Sequence, residues 1–245
     1  MKVGIIGAGG IAVTMARTLN QMEDATAYAV ASRSLEKAET FAKEHQVEKA
    51  YGSYEEMLQD PEVELVYVAT PHSHHYECMK LALCYGKPVL CEKAFTANAE
   101  QAEEILSISE EKKLFVGEAM WTRFLPSRKM IDEVVSSGEI GQVHMITANL
   151  GYDIRMVERL RNPALAGGAL LDVGIYPLTF IRMITSSKIT SIDTSCVKLE
   201  TGVDAQNTVT FVFEDGCMAT MHSSMLGGTE QAGIVYGDKG YFIAW

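Results

Sequence analysis

Two stretches near the N-terminus have the residue types and spacing of an anion-binding turn. Gly7-Ala8-Gly9-Gly10-Ile11-Ala12 follows a short apolar run and opens a helical pattern. This is G-x-G-x-x-A. The first glycine makes a tight turn, the second lets backbone approach a pyrophosphate, and the last small residue packs helix on strand. Amides at the helix start would face the anion. A glycine turn that serves packing alone is the alternative. The next strand-like run ends Val30-Ala31-Ser32-Arg33, with no carboxylate where an NAD site usually holds the ribose 2′-hydroxyl. Ser32 can donate to a 2′-phosphate, Arg33 can neutralise it and lie against adenine, and Lys37 can add a second charge. These residues favour NADP over NAD. The competing view of Arg33 is a solvated side chain at a strand end.

Further along, Lys93 follows the apolar run Val89–Cys91. It therefore sits at the C-terminal end of a strand, where ligands bind in open α/β sheets. An ammonium there can hydrogen-bond a hydroxyl or carbonyl oxygen and move a proton. By position alone it reads equally well as a surface lysine. Asp172 and Tyr176 are spaced i, i+4 on a helical pattern, so they share one face. A carboxylate and a phenol together could hold and deprotonate a polyol. For Asp172, a cap or a buried acceptor is the alternative. His72, His74 and His75 form H-x-H-H at a helix start but lack a set of metal-ligating partners, and no metal is expected. Arg155, Arg159 and Arg161 make a basic loop facing either substrate or solvent.

The elements that position these residues can be read from pattern. Lys2–Ile6, Thr26–Ala31, Val63–Ala69, Val89–Cys91 and Leu114–Val116 read as strands. Helical stretches fall between them: one from the glycine turn to about Met22, and one capped by Ser34 with Leu35, Ala38, Phe41 and Ala42 on one face. Others start at the capping box Ser53-x-x-Glu56, at about Ser73 with Gly86 beyond its end, and at Asn98-x-x-Gln101, running to about Lys112. Alternating strands and helices predict right-handed βαβ units around a parallel sheet. The second half differs. Val143–Leu150 is a strand, and Gly167-Gly168 leads into an apolar helix over about Ala169–Ile184. Ile189–Leu199, Thr208–Phe213 and Cys217–Ser223 are strand-like, the last two joined by Glu214-Asp215-Gly216 in a hairpin. Gly237–Gly240 suggests one more turn. The expected class is α/β: a Rossmann-like parallel sheet over 1–120, then an α+β domain over 121–245 with an open, mainly antiparallel sheet.

Composition narrows the partners. The chain has 245 residues, 47% hydrophobic and 22% charged, within globular averages. Lys and Arg number 21 against 32 Asp and Glu, a net charge of −11, which argues against nucleic acid. Cys78, Cys84, Cys91, Cys196 and Cys217 are odd in number without C-x-x-C spacing, so free, mostly buried thiols are expected rather than disulfides or zinc. No secretory leader is apparent, and no apolar run was expected to approach the roughly 18–20 residues of a membrane helix. A cytoplasmic location is the expectation. The apolar run Tyr241–Trp245 would leave its sheet short of partners, which predicts that the native protein continues.

Four spaced segments together resemble the Gfo/Idh/MocA family. They are Ala69-Thr70-Pro71-His72-Ser73-His74-His75 with Cys91-Glu92-Lys93-Ala94, then Glu118–Phe124, then Gly168–Tyr176. The last two are most similar to the branch of dihydrodiol dehydrogenases, xylose dehydrogenases and glucose–fructose oxidoreductase. The family pattern is Glu-Lys-Pro, where this chain has Ala94, so the constraint that proline places on the backbone is lost. The resemblance implies an enzyme moving a hydride between nicotinamide and a hydroxyl-bearing carbon of a sugar, cyclic polyol or trans-dihydrodiol. It implies Lys93 and Tyr176 as proton-handling groups and Asp172 as a positioning carboxylate. It implies cofactor contacts from Gly7, Gly9, Gly10, Ile11, Ala12, Ser32, Arg33, Lys37, Thr70, Pro71, His72, His75, Glu92 and Lys93, with Trp121 and Arg123 near the nicotinamide. A homodimer or tetramer through the second-domain sheet is implied too. Two rivals are a non-catalytic NADP-binding sensor of the same fold and an S-adenosylmethionine site. The Glu-Lys motif counts against the second.

Overall fold

The computed structural model describes residues 1–245. The chain divides into two compact units, Met1–Ala119 and Met120–Trp245.

The first unit runs β1 (Lys2–Ile6), α1 (Gly10–Leu19), β2 (Thr26–Ala31), α2 (Leu35–His45), β3 (Lys49–Tyr51), α3 (Tyr54–Gln59), β4 (Leu65–Val68), α4 (His72–Cys84), β5 (Val89–Cys91), α5 (Ala99–Lys112) and β6 (Val116–Glu118). Its six strands are parallel in the order β3-β2-β1-β4-β5-β6. Strand order reverses between β1 and β4, and such a switch point opens a crevice at the carboxyl ends of the strands. Helices cover both faces. On one, Ala12 and Ala16 of α1 and Ala38 and Phe41 of α2 pack with Val3, Ile5 and Val30. On the other, Met57 of α3, Met79 and Leu83 of α4 and Ile105 of α5 pack with Ile6, Val66 and Val89.

Local signals decide most helix starts here. The side chains of Ser34, Ser53 and Asn98 accept from the amides of Lys37, Glu56 and Gln101. Several expectations need correction. The first helix ends at Leu19 rather than near Met22. Leu35 stands exposed rather than on the buried face of α2. The last strand of this unit starts at Val116, because Lys113 turns left-handed (φ 54°) and Leu114 N–H still closes the helix on Ser109 O. The three-residue β3 is too short to show a period.

Asp60 ties this unit together between α3 and β4. It is buried and accepts from Lys49 Nζ at 2.8 Å, Tyr51 Oη at 2.6 Å, Tyr28 Oη at 3.1 Å and the Glu62 amide at 2.9 Å. Burial raises its carboxyl pKa, but these four donors outweigh burial and hold it well below the usual carboxylate range. The same cluster pushes the Tyr51 phenol up to about 12, first through burial and then through Asp60. A depressed folded-state pKa adds stability above the unfolded value of about 3.9, lost as pH falls through the folded value. Asp60→Asn is expected to cost about 2 kcal/mol at pH 7, because an amide turns one donor toward three others. Urea unfolding at pH 7 and pH 3 checks this; the gap between the two proteins should narrow in acid.

The second unit starts with a 3₁₀ turn, Trp121–Phe124, followed by α6 (Pro126–Ser137), β7 (Val143–Gly151) and α7 (Glu158–Arg161). A 3₁₀ turn at Pro163–Leu165 and a π-helical turn at Leu170–Gly174 lead into α8 (Ile175–Ile184). Then come β8 (Ile189–Lys198), β9 (Asp204–Phe213), β10 (Met218–Ser224), β11 (Gly233–Gly237) and β12 (Tyr241–Ala244). The sheet order is β12-β11-β7-β10-β9-β8. Only β7 and β10 pair in parallel; the others are antiparallel. One sheet face packs Ile146, Ala148, Val209, Phe211 and Ala219 against Ile181 of α8.

The expected hairpin turn is present, with Gly216 at φ 85°. Helix α6 was not expected, although Ile131, Val134 and Val135 are spaced i, i+3, i+4 and half-buried, and Val134 packs on the core of this unit. One expectation is overturned. Pro163–Ile184 spans 22 residues and is long and apolar enough to cross a membrane by length and composition. Asp172 and Arg182 lie within it, and Val173 and Ile181 are buried in the cores of this unit.

Candidate active site

In the first unit, the singled-out segments all leave the carboxyl ends of parallel strands. Gly7–Gly9 follow β1, Ser32-Arg33 follow β2, Thr70-Pro71 follow β4 and Glu92-Lys93 follow β5. Gly7 takes φ 101°, and a Cβ there would lie 2.9 Å from Ala69 O, so glycine is required twice over. Around Gly9 and Gly10 the reverse holds: a Cβ on either would meet no atom within 4 Å. Gly9 caps α1 without a side chain, which leaves the first-turn amides facing open ground. Ala12 is fully buried against the sheet, the third small residue in its packing role. Ile11 is exposed beside the turn. This cradle fits a dinucleotide pyrophosphate.

Past β2, Ser32 is buried and its Oγ accepts from the Ser34 amide at 3.5 Å. Arg33 and Lys37 are exposed, and no carboxylate stands at this strand end. Thr70 and Pro71 are half-buried, and His72 is buried with its ring edge-on to His75 at 5.7 Å. His75, expected to touch the cofactor, is fully buried, and its Nδ1 and Nε2 lie 2.7 Å from Ala94 O and 2.9 Å from Thr70 O. It can reach a ligand only through those loops.

Glu92 and Lys93 are half-buried. Burial raises the Glu92 carboxyl, opposed by the Tyr67 hydroxyl and the Lys93 amide that donate to it. Glu118, at the end of β6, accepts from the Phe95 amide at 3.0 Å and so holds the segment after Lys93. The Lys93–Ala94 peptide is cis. Burial pushes the Cys78 thiol up to about 11 and the Cys91 thiol well above its ordinary value, so neither is a nucleophile.

In the second unit, Asp172 lies in the π-helical turn and Tyr176 in the first turn of α8. Each has a defined partner. Arg159 Nη2 donates to Asp172 Oδ1 at 3.0 Å, with Asp172 only 6% exposed. Trp121 Nε1 donates to Tyr176 Oη at 3.2 Å, with the rings edge-to-face at 6.2 Å. Trp121 and Arg123 are exposed. Of the basic loop, Arg159 faces the carboxylate, while Arg155 pairs with Asp153 and Arg161 with Glu200.

Asp204 is a residue the sequence reading missed. Its Oδ2 accepts from the Leu170 amide and from Asn207 Nδ2, both at 2.6 Å, so it anchors the start of the π turn. A Cβ on Gly168 (φ 110°) would fall 2.0 Å from Asp204 Oδ1, which explains the second glycine of the pair. Nothing in the spacing of residues 168 and 204 announces this contact. No group of three or more His, Cys, Asp or Glu side chains converges as a metal site would require.

Comparison with known proteins places the chain. Residues 1–119 match the oxidoreductase family with the NAD-binding Rossmann fold, and residues 129–243 match the GFO/IDH/MocA C-terminal domain. The trans-1,2-dihydrobenzene-1,2-diol dehydrogenase of Bos taurus is 38% identical over 244 residues, covering 98% of this chain and 72% of the relative. The D-xylose 1-dehydrogenase (NADP(+)) of Hypocrea jecorina is 41% identical over 203 residues, covering 74% of this chain and 52% of the relative. The crystal structure of GenD2 from gentamicin A biosynthesis, in complex with NAD, shares the fold with a TM-score of 0.92 at 22% identity, covering 100% of this chain and 72% of that one. With both halves matched and its glycine cradle at the switch point of a parallel sheet, the chain belongs to the Gfo/Idh/MocA family of oxidoreductases.

Proposed function

We propose that this oxidoreductase uses NADP and acts on a hydroxyl-bearing carbon of a sugar, cyclic polyol or trans-dihydrodiol. One observation carries the reading: the glycine cradle, Ser32-Arg33, Thr70-Pro71 and Glu92-Lys93 all leave the carboxyl edge of one parallel sheet. Two relatives support the substrate class, one named for a trans-dihydrodiol and one for D-xylose with NADP(+). In this proposal the first unit binds dinucleotide, and the second holds substrate.

When bound, the nicotinamide supplies the carbon that accepts or returns hydride. This chain's residues do the rest. The Gly7, Gly9 and Gly10 backbone and the first-turn amides of α1 would hold the pyrophosphate. Ser32, Arg33 and Lys37 would hold the 2′-phosphate. Thr70 and Pro71, with the backbone of His72, would line the ribose. Lys93 Nζ hydrogen-bonds the reacting oxygen, and Lys93 and Tyr176 manage its proton. Asp172, paired with Arg159, orients a neighbouring hydroxyl. Trp121 holds the Tyr176 hydroxyl in place by donating to its oxygen.

Parallel fluorescence titrations with NADPH and NADH test the cofactor assignment. Arg33→Ala is expected to weaken NADPH about tenfold and leave NADH unchanged. A charge-assisted hydrogen bond is worth about 1.5–3 kcal/mol, less at so exposed a site. Equal binding of both dinucleotides by the unaltered chain would remove NADP specificity but leave the oxidoreductase.

Subunit pairing through the second sheet is part of the proposal. Tyr241, Tyr236, Met145 and Met218 are successive cross-strand partners, so they form one row on one face. Met145, Met218 and Tyr241 are exposed. Sedimentation is expected to give a dimer or larger species, and Met145→Lys to shift it toward monomer. The five cysteines are all unpaired, which supports a reducing compartment such as the cytoplasm.

A further inference from the structure

His75 is one of the few polar side chains with no exposure at all. It sits one turn into α4, and the two carbonyls its ring meets belong to different loops. Nε2 lies 2.9 Å from Thr70 O, in the loop after β4. Nδ1 lies 2.7 Å from Ala94 O, in the loop after β5. Those strands are neighbours, paired Val66 to Val89 through Val68 to Cys91. One imidazole therefore spans the gap between two adjacent loops at the ligand edge of the sheet. One loop carries Thr70 and the other carries Lys93, the residue immediately before Ala94.

The chemistry of the bridge is directional. A backbone carbonyl only accepts, so a bond requires a hydrogen on the ring nitrogen; burial lowers the His75 pKa, and the neutral imidazole has one N–H, so it donates to one of the two carbonyls and packs its other nitrogen against the second. The side chain cannot be replaced by a hydrocarbon without leaving a buried carbonyl short of its donor, and that loss is felt in full. The Phe95 backbone also bonds the imidazole, and the His72 ring stands edge-on at 5.7 Å. Partners one layer behind reacting groups typically contribute 10–100-fold, and a displacement of about 1 Å can cost about 10²-fold.

We infer that His75 is a positioning residue: packed between Thr70 O and Ala94 O and hydrogen-bonded to one of them, it holds the loop that sets where the Lys93 ammonium stands. This rests on the role proposed for Lys93, but its test need not.

The experiment compares the full chain with His75→Leu, which fills the volume without donors, and His75→Gln, which keeps an N–H donor. The first readout is the rate at which acetic anhydride modifies Lys93, measured by peptide mass spectrometry against exposed Lys112. His75→Leu is expected to change the Lys93 rate at least threefold with Lys112 unchanged, and His75→Gln to fall between. The second readout is turnover of NADP+ with D-xylose or a trans-dihydrodiol. His75→Leu is expected to lower it 10–100-fold in the Lys93 protein but less than twofold in Lys93→Met. A folded His75→Leu protein with unchanged Lys93 labelling overturns the inference. Equal losses in both lysine backgrounds also overturn it, because they mean general destabilisation. If no substrate turns over in the unaltered chain, the function reading fails and the labelling alone decides this one. If neither variant folds, nitrogen-15 histidine NMR of the unaltered chain decides. Slow ring-proton exchange at His75 relative to exposed His144 supports the bridge, and equal exchange overturns it.

Discussion

Lys93→Met is expected to lower turnover about 10³-fold, within the 10²–10⁴ range of general acid–base catalysis. Methionine keeps an unbranched stem of similar length, so the packing of the half-buried side chain is largely preserved. What is lost is an ammonium at the carboxyl end of β5, the group that would bond the reacting oxygen. The glycine cradle and the β2 end are separate loops, so NADPH affinity should change by less than about threefold if only chemistry is lost. Stopped-flow or steady-state assays with NADP+ and a trans-dihydrodiol or D-xylose, alongside a fluorescence titration, separate the two effects. Turnover that survives the substitution would remove Lys93 from the mechanism. A parallel loss of NADPH binding would make it a cofactor contact instead.

Tyr176→Phe should lower kcat by about 10²-fold or more while leaving the fold intact. Only a hydroxyl is removed, and that oxygen already has one defined partner, Trp121 Nε1 at 3.2 Å. The indole is 57% exposed, so its N–H can turn to water when the phenol oxygen is gone. The stability cost should therefore stay near the low end for a single neutral hydrogen bond, about 0.5 kcal/mol. Trp121→Phe makes the informative comparison. It keeps the phenol but loses the donor that orients it, so a smaller rate loss is expected. Equal activity of Tyr176→Phe and the unaltered chain, with either substrate, would show that the phenol is not part of the proton path.

The legible parts of the site were those whose requirement is local. Gly7 must be glycine because of its own φ, and the pattern around it needs only the strand, turn and helix that contain it. The Ser34, Ser53 and Asn98 caps are likewise three-residue contacts. The strand ends followed from apolar runs broken by polar residues, and those ends are where Arg33 and Lys93 stand. The i, i+3, i+4 stripe of α6, Ile131, Val134 and Val135, is likewise local. The π turn at Leu170–Gly174 is invisible because its residues look like any apolar helix.

By itself, then, the sequence determined the order of elements in the first half, the glycine cradle, the missing carboxylate after Ala31 and the position of Lys93 at a strand end. Each depends on backbone conformation or side-chain type within a few residues. Only the tertiary structure decided that Asp60 gathers Lys49, Tyr28 and Tyr51, that Arg159 faces Asp172, and that Trp121 holds Tyr176. It also decided that His75 is buried between the Thr70 and Ala94 carbonyls, and that β10 lies parallel to β7 in the second sheet. The physical reason is common to these features. Each joins residues brought together by packing of separate elements, and a hydrogen bond over such a distance leaves no periodicity in the chain that makes it.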